Sequence, residues 1–114
     1  MTMPYIAVNV SKSLTETEKD AIKSGLGGKI SVIPGKSEKG LMVDIIDGKS
    51  MYYRGQKGDI AYLEVKLFGT PEPDAQKAFT EAAFDVMQQA GFAKKDVYIT
   101  LQGFANWGVN GTLV

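Results

Sequence analysis

The spacing of apolar residues changes period along the chain, and each change marks an element. Tyr5 to Val10 reads as a strand directly behind Pro4, and Ser11-Lys12-Ser13 ends it. From Leu14 the period lengthens to that of a helix. Thr15 stands as N-cap with Glu18 three residues on, the reciprocal arrangement of a capping box, and Ala21, Ile22, Leu26, Ile30 and Ile33 fall near one face. Gly25, Gly27 and Gly28 interrupt this segment, and each costs about 1 kcal/mol of helix propensity relative to alanine. The helix therefore either lies very close to a sheet there or breaks. The same glycines with Lys29 do not make a phosphate loop, because Ile30 replaces the Ser or Thr and the glycines sit inside a helical pattern.

Pro34-Gly35 stops the helix, Lys36 to Gly40 is a polar loop, and Leu41 to Ile46 is a second strand. Asp47-Gly48 supplies a turn, and Met51 to Arg54 reads as a short returning strand before the Gly55-Gln56-Lys57-Gly58 loop. Ala61 to Phe68 alternates cleanly, with Ala61, Leu63, Val65 and Leu67 on one side and Tyr62, Glu64, Lys66 and Phe68 on the other. After the turn-rich Gly69 to Asp74, a second helix carries Ala75, Ala78, Phe79, Ala82, Ala83, Val86, Met87 and Ala90 at a 3.6-residue period, and Gly91 fits its left-handed C-terminal position. Val97 to Leu101 is a further strand. The tail from Gly103 to Gly111 is too rich in Gly and Asn for a long element, and a brief hairpin fits it.

Main strands starting at Pro4, Leu41, Ala61 and Val97 make each half of the chain strand, helix, strand. The expected fold is α/β (α+β): a doubled β-α-β unit in a single domain over residues 1–114, with right-handed crossovers placing both helices on one face of a four-stranded mixed sheet. The other face then carries Tyr5, Met42, Tyr62 and Tyr98 among Asn9, Asp44, Glu64, Lys66 and Thr100. This mixture is too aromatic for comfortable exposure and too polar for a dry core, and a subunit interface is its natural cover.

Charge and composition narrow the chemistry. The 13 basic and 13 acidic side chains give zero formal net charge without a run of either sign, so nucleic acid and acidic membranes are not expected partners. With no cysteine and no histidine, disulfides, thiol nucleophiles, Ser-His catalysis and the usual zinc ligands are all removed. No metal is expected. No apolar run approaches the roughly 20 residues of a membrane span, and no charged segment leads into an apolar one at the start. A soluble cytoplasmic protein is the expectation.

Pro4 can then be read in two ways. Behind Met1, Thr2 and Met3 its nitrogen is an imide that neither binds nor donates a proton, and Pro4 is a strand starter. If translation starts at Met3 and that methionine is removed, Pro4 holds a free secondary amine, able to act as a base near neutral pH where its surroundings lower its pKa.

The doubled β-α-β pattern behind Met3-Pro4, with Gly35-Lys36 after the first helix, Leu67-Phe68-Gly69 closing the third main strand, Asp96 to Ile99 opening the fourth and Asn106 to Gly111 at the tail, resembles the tautomerase superfamily. In particular it is similar to the family of macrophage migration inhibitory factor and D-dopachrome tautomerase. The resemblance implies a homotrimer whose sheets turn their free faces inward, and keto-enol tautomerisation of an arylpyruvate-like 2-keto acid without a cofactor. Pro4 corresponds to the general base and Lys36 to the active-site lysine that holds the substrate carboxylate. Tyr98 corresponds to a tyrosine given by the neighbouring subunit, and Phe68 to a residue whose backbone contacts substrate. Thr100 replaces the family's asparagine and shortens that contact, while Trp107 joins Tyr98 in an aromatic wall. The cysteine pair of the mammalian factor falls on Ile60 and Leu63, so no thiol-redox activity is expected. Arg54 is the only arginine, which leaves no arginine pair for dehalogenation. The rival reading is a non-catalytic trimeric binding protein with Pro4 blocked, in which Lys36 is a solvated loop lysine, Tyr98 an interface aromatic and Trp107 a filler.

Overall fold

Residues 3–114 are described by a computed structural model. Met1 and Thr2, which would block Pro4 in the rival reading, lie outside the described residues. In chain order the elements are β1 (Pro4–Val10), α1 (Glu16–Lys29), β2 (Met42–Ile46), β3 (Tyr52–Tyr53), β4 (Gln56–Lys57), β5 (Ala61–Phe68), α2 (Pro73–Gln89), β6 (Val97–Phe104), β7 (Gly108–Val109) and β8 (Thr112–Leu113). The main sheet has the order β2-β1-β5-β6. Its outer pairs are parallel and its central β1-β5 pair antiparallel. This is the mixed, doubled β-α-β sheet expected.

The local signals act as the sequence implies. The Thr15 hydroxyl accepts from the Glu18 amide at 3.1 Å, and the Glu18 carboxylate accepts from the Thr15 amide at 2.8 Å, so two of the helix's orphan donors are satisfied. The α-helix ends at Lys29 and not at Ile33, because the chain tightens into a 3-10 turn over Ile30–Val32. Gly25 has a packing reason: a Cβ there would lie 2.8 Å from Val86 Cγ1 of α2, so the two helices approach too closely for a side chain. Gly27 is similarly covered by the Glu38 side chain, whereas Gly28 has nothing within 4 Å.

Both helices cover one side of the sheet. Ile22, Leu26, Phe79, Ala83 and Met87 meet Ile6, Val8, Leu63, Val65 and Leu67 in one buried cluster. The segment at Met51–Arg54 departs from expectation. It does not return along β2; β3 turns back on β4 through Arg54 and Gly55, both at positive φ (56° and 75°), the requirement of a type I′ hairpin. Asn110 and Gly111 join β7 to β8 in the same way, which makes the expected tail hairpin.

β6 also runs three residues beyond Leu101, to Phe104. The Gly69 amide donates to the Phe104 carbonyl at 2.8 Å, and Gly103 lets the strands approach: a Cβ on it would press on the Gly69 carbonyl oxygen and lie 2.6 Å from Thr70 Oγ1. Gly103→Ala should therefore destabilise the protein by about 1–3 kcal/mol, the usual range for overpacking. Urea unfolding should show a lower midpoint with an unchanged m-value.

Candidate functional site

Helices leave the second face of the sheet uncovered, and strand register arranges it in rows. One row holds Tyr5, Met42, Lys66 and Gln102, the next Ala7, Asp44, Glu64 and Thr100, and a third Asn9, Ile46, Tyr62 and Tyr98. Met42 is 66% exposed and Tyr98 58%. Most polar groups on this face pair with one another. Tyr5 donates to Asp44 at 2.9 Å, the buried Asn9 donates to the Tyr62 carbonyl at 3.1 Å and to Glu64 at 3.3 Å, and Lys49 donates to Asn9 Oδ1 at 3.0 Å. The Tyr5 phenol sits above the usual tyrosine range chiefly because of its hydrogen bond to Asp44.

Pro4 opens β1 opposite Leu67, near the C-terminal end of β5. Its ring is buried, and its nitrogen is joined to Met3, itself only 5% exposed. Lys36 arrives from the far side of the sequence. Gly35 at φ +80° turns the chain out of the 3-10 turn, the Lys36 amide donates to the Ile33 carbonyl at 3.0 Å, and the side chain reaches the end of β5. There Nζ donates to the Phe68 carbonyl at 2.9 Å. Partial burial lowers the pKa of this ammonium below the ordinary lysine value. Lys36, Phe68 and Pro4 are thus gathered at one end of the central strand pair.

A cleft of about 450 Å³ opens at the same end. Met3 and, from the start of β1, Pro4 and Tyr5 line it, with Met42 and Lys66 from the uncovered face, and Phe104, Asn106 and Trp107 from the end of β6 and the tail. Trp107 meets Phe104 edge to face at 6.0 Å, and paired backbone bonds to Val114 (3.3 and 2.9 Å) hold it at the base of the tail hairpin. Lys36 and Phe68 are not among the lining residues. Tyr98 and Thr100 are not brought to Pro4 within one chain. Tyr98 lies opposite Tyr62, five residues along β5 from Leu67, or about 16 Å at strand rise. There it packs edge-on to Tyr53 at 5.0 Å, while Thr100 Oγ1 and the Tyr62 hydroxyl share a hydrogen bond at 2.9 Å. Sequence reasoning counted Lys66 only as one polar member of the uncovered face and Asn106 only as the start of the tail motif. Alternation placed Lys66 correctly on that face, but only the register of β5 against β1 puts it beside Tyr5.

No protein-family profile and no curated protein sequence matches the chain. Solved structures do. The crystal structure of Leishmania major MIF2 is 22% identical and superposes with a TM-score of 0.92 over the whole of both chains. A macrophage migration inhibitory factor homologue from Prochlorococcus marinus is 21% identical with a TM-score of 0.84, covering 96% of this chain and 97% of its own. Pt0534 inactivated by 2-oxo-3-pentynoate is 18% identical with a TM-score of 0.83, covering 94% and 92%. The fold is that of the macrophage migration inhibitory factor structures.

The lowered pKa of Lys36 makes a signed prediction. Its charged form is disfavoured by folding, so its burial costs stability at neutral pH, and that cost is relieved as pH rises from the folded pKa towards the unfolded value of about 10.4. Relative to Lys36→Met, the wild-type protein should gain stability across that alkaline window, read as a pH-dependent difference between their urea midpoints.

Proposed function

From a fold shared with macrophage migration inhibitory factor structures, we propose that this chain is a keto-enol tautomerase of arylpyruvate-like 2-keto acids, with Pro4 as general base when it is the first residue. The observation that carries the proposal is Pro4 lining an apolar-walled cleft while the ammonium of Lys36 reaches the end of the strand paired with it. A free Pro4 nitrogen would take the proton from the carbon next to the carbonyl as the electron pair moves to oxygen, and return it to that oxygen to form the enol. A base for this step works best with a pKa near the working pH. The apolar walls from Met42, Phe104 and Trp107, together with the nearby cation, would hold Pro4 below the ordinary α-amino range of about 7.7 to 8.0. Lys36 also supplies positive charge for the acid's carboxylate. That Pt0534 is inactivated by a 2-oxo acid reagent supports this substrate class.

In this proposal a homotrimer supplies what one chain lacks. The uncovered face of one copy would be covered by the next, bringing Tyr98 and Thr100 of a partner copy to the Pro4 end and leaving Phe68 to present its backbone. The second reading is a non-catalytic binding protein of the same assembly. It is favoured where Met3 stays attached, because that residue is buried beside Pro4 and the nitrogen is then an imide.

Activity should separate the two readings. Protein starting at Pro4 should tautomerise phenylpyruvate about 10²- to 10⁴-fold faster than protein retaining Met1 to Met3, the usual contribution of a general base, with intact mass confirming each start. Equal rates would remove Pro4 from the mechanism.

A further inference from the structure

The cleft in front of Pro4 contains a cation to which neither the fold nor the proposed reaction assigns a role. Lys66 lies on β5 between Glu64 and Phe68, facing the uncovered side, directly opposite Tyr5. Its ammonium stands 5.9 Å from the centre of the Tyr5 ring, a cation-π distance, and no carboxylate lies within ion-pair range of it among the described residues. The two acids of the adjacent row have other hydrogen-bond donors: Asp44 accepts from the Tyr5 hydroxyl and Glu64 from Asn9. Lys36 differs. Its ammonium is already bonded to the Phe68 carbonyl, and it does not line the cleft.

We propose that Lys66 is a carboxylate-binding residue of this cleft, gripping the anionic end of an acid whose apolar body lies between Met42 and Trp107. Resting on the tautomerase reading for the substrate class, the inference adds to Lys36 a second cation, on β5 opposite Tyr5. A site with one lysine tied to a backbone carbonyl and another without an ion-pair partner is prepared for an incoming anion at the latter. Among the described residues of the chain, no carboxylate has to be displaced before Lys66 can bind one. Asn106, which lines the same cleft from the tail, offers a carboxamide donor to it.

Trp107 is the single tryptophan and lines this cleft, so its fluorescence reports binding without requiring turnover. The probes are 3-phenylpropanoate and the corresponding neutral amide, titrated into the full-length protein and into Lys66→Gln. The acid should bind the wild-type protein more tightly than the amide, and Lys66→Gln should weaken the acid by roughly 10- to 150-fold, the range for losing one charge-assisted contact. Amide binding should stay unchanged, which separates lost charge from altered shape. Equal affinity for acid and amide in the wild-type protein, or an acid affinity that Lys66→Gln leaves unmoved, would overturn the assignment. Absence of acid binding would overturn it as well. If the acid binds through Lys66 while protein starting at Pro4 shows no turnover, the catalytic reading fails and the binding site stands.

Discussion

The structure is governed by a sheet that is covered on only one side. Two helices close the other side completely, and Phe79, Phe92, Leu26 and Met87 reach full burial there. The uncovered side keeps Met42 and Tyr98 in solvent. Removing such surface from water is worth about 25 cal/mol per Å², so the face has a standing drive to be covered. Most of its polar groups do not oppose that step, because Tyr5 with Asp44 and Asn9 with Glu64 and Lys49 already satisfy one another, while Lys66, unpaired among the described residues, lines the cleft at one end of the face. Polar groups paired in this way can be buried by a partner without stranding charge.

The candidate site follows from the same arrangement. The antiparallel central pair sets the start of β1 beside the end of β5, which gathers Pro4, the Phe68 carbonyl and Lys36 at one end. The parallel β5-β6 pair carries Tyr98 to the opposite end. A chain cannot fold this distance away, since the register is fixed by alternation along every strand. An assembly in which copies follow one another head to tail would join the two ends, and the proposed trimer is the closed form of that arrangement.

Much of this was legible in the residues. Thr15 with Glu18 announced the first helix, and the alternation from Ala61 to Phe68 announced both the strand and its two faces, because in each case the signal lies within one element. The misreadings fall where the deciding contact is distant in sequence. Gly103 was read as the start of a tail too rich in Gly and Asn for a long element, yet it lies within β6, where the close approach of the Gly69 carbonyl requires a glycine. Met51 to Arg54 looked like a strand of the sheet until the positive φ of Arg54 and Gly55 turned it back on itself. Lys36 was placed in the site by resemblance; the residue pattern alone leaves it a solvated loop lysine. Lys66 was visible as a face residue, but its place in the cleft depends on register across three strands and on the tail.

Sedimentation equilibrium would show whether the uncovered face is an interface between copies, as proposed. At micromolar concentration the expected species has three times the 12.3 kDa chain mass. A species of a single chain mass would contradict it, leaving Tyr98 remote from Pro4 and the face open to solvent.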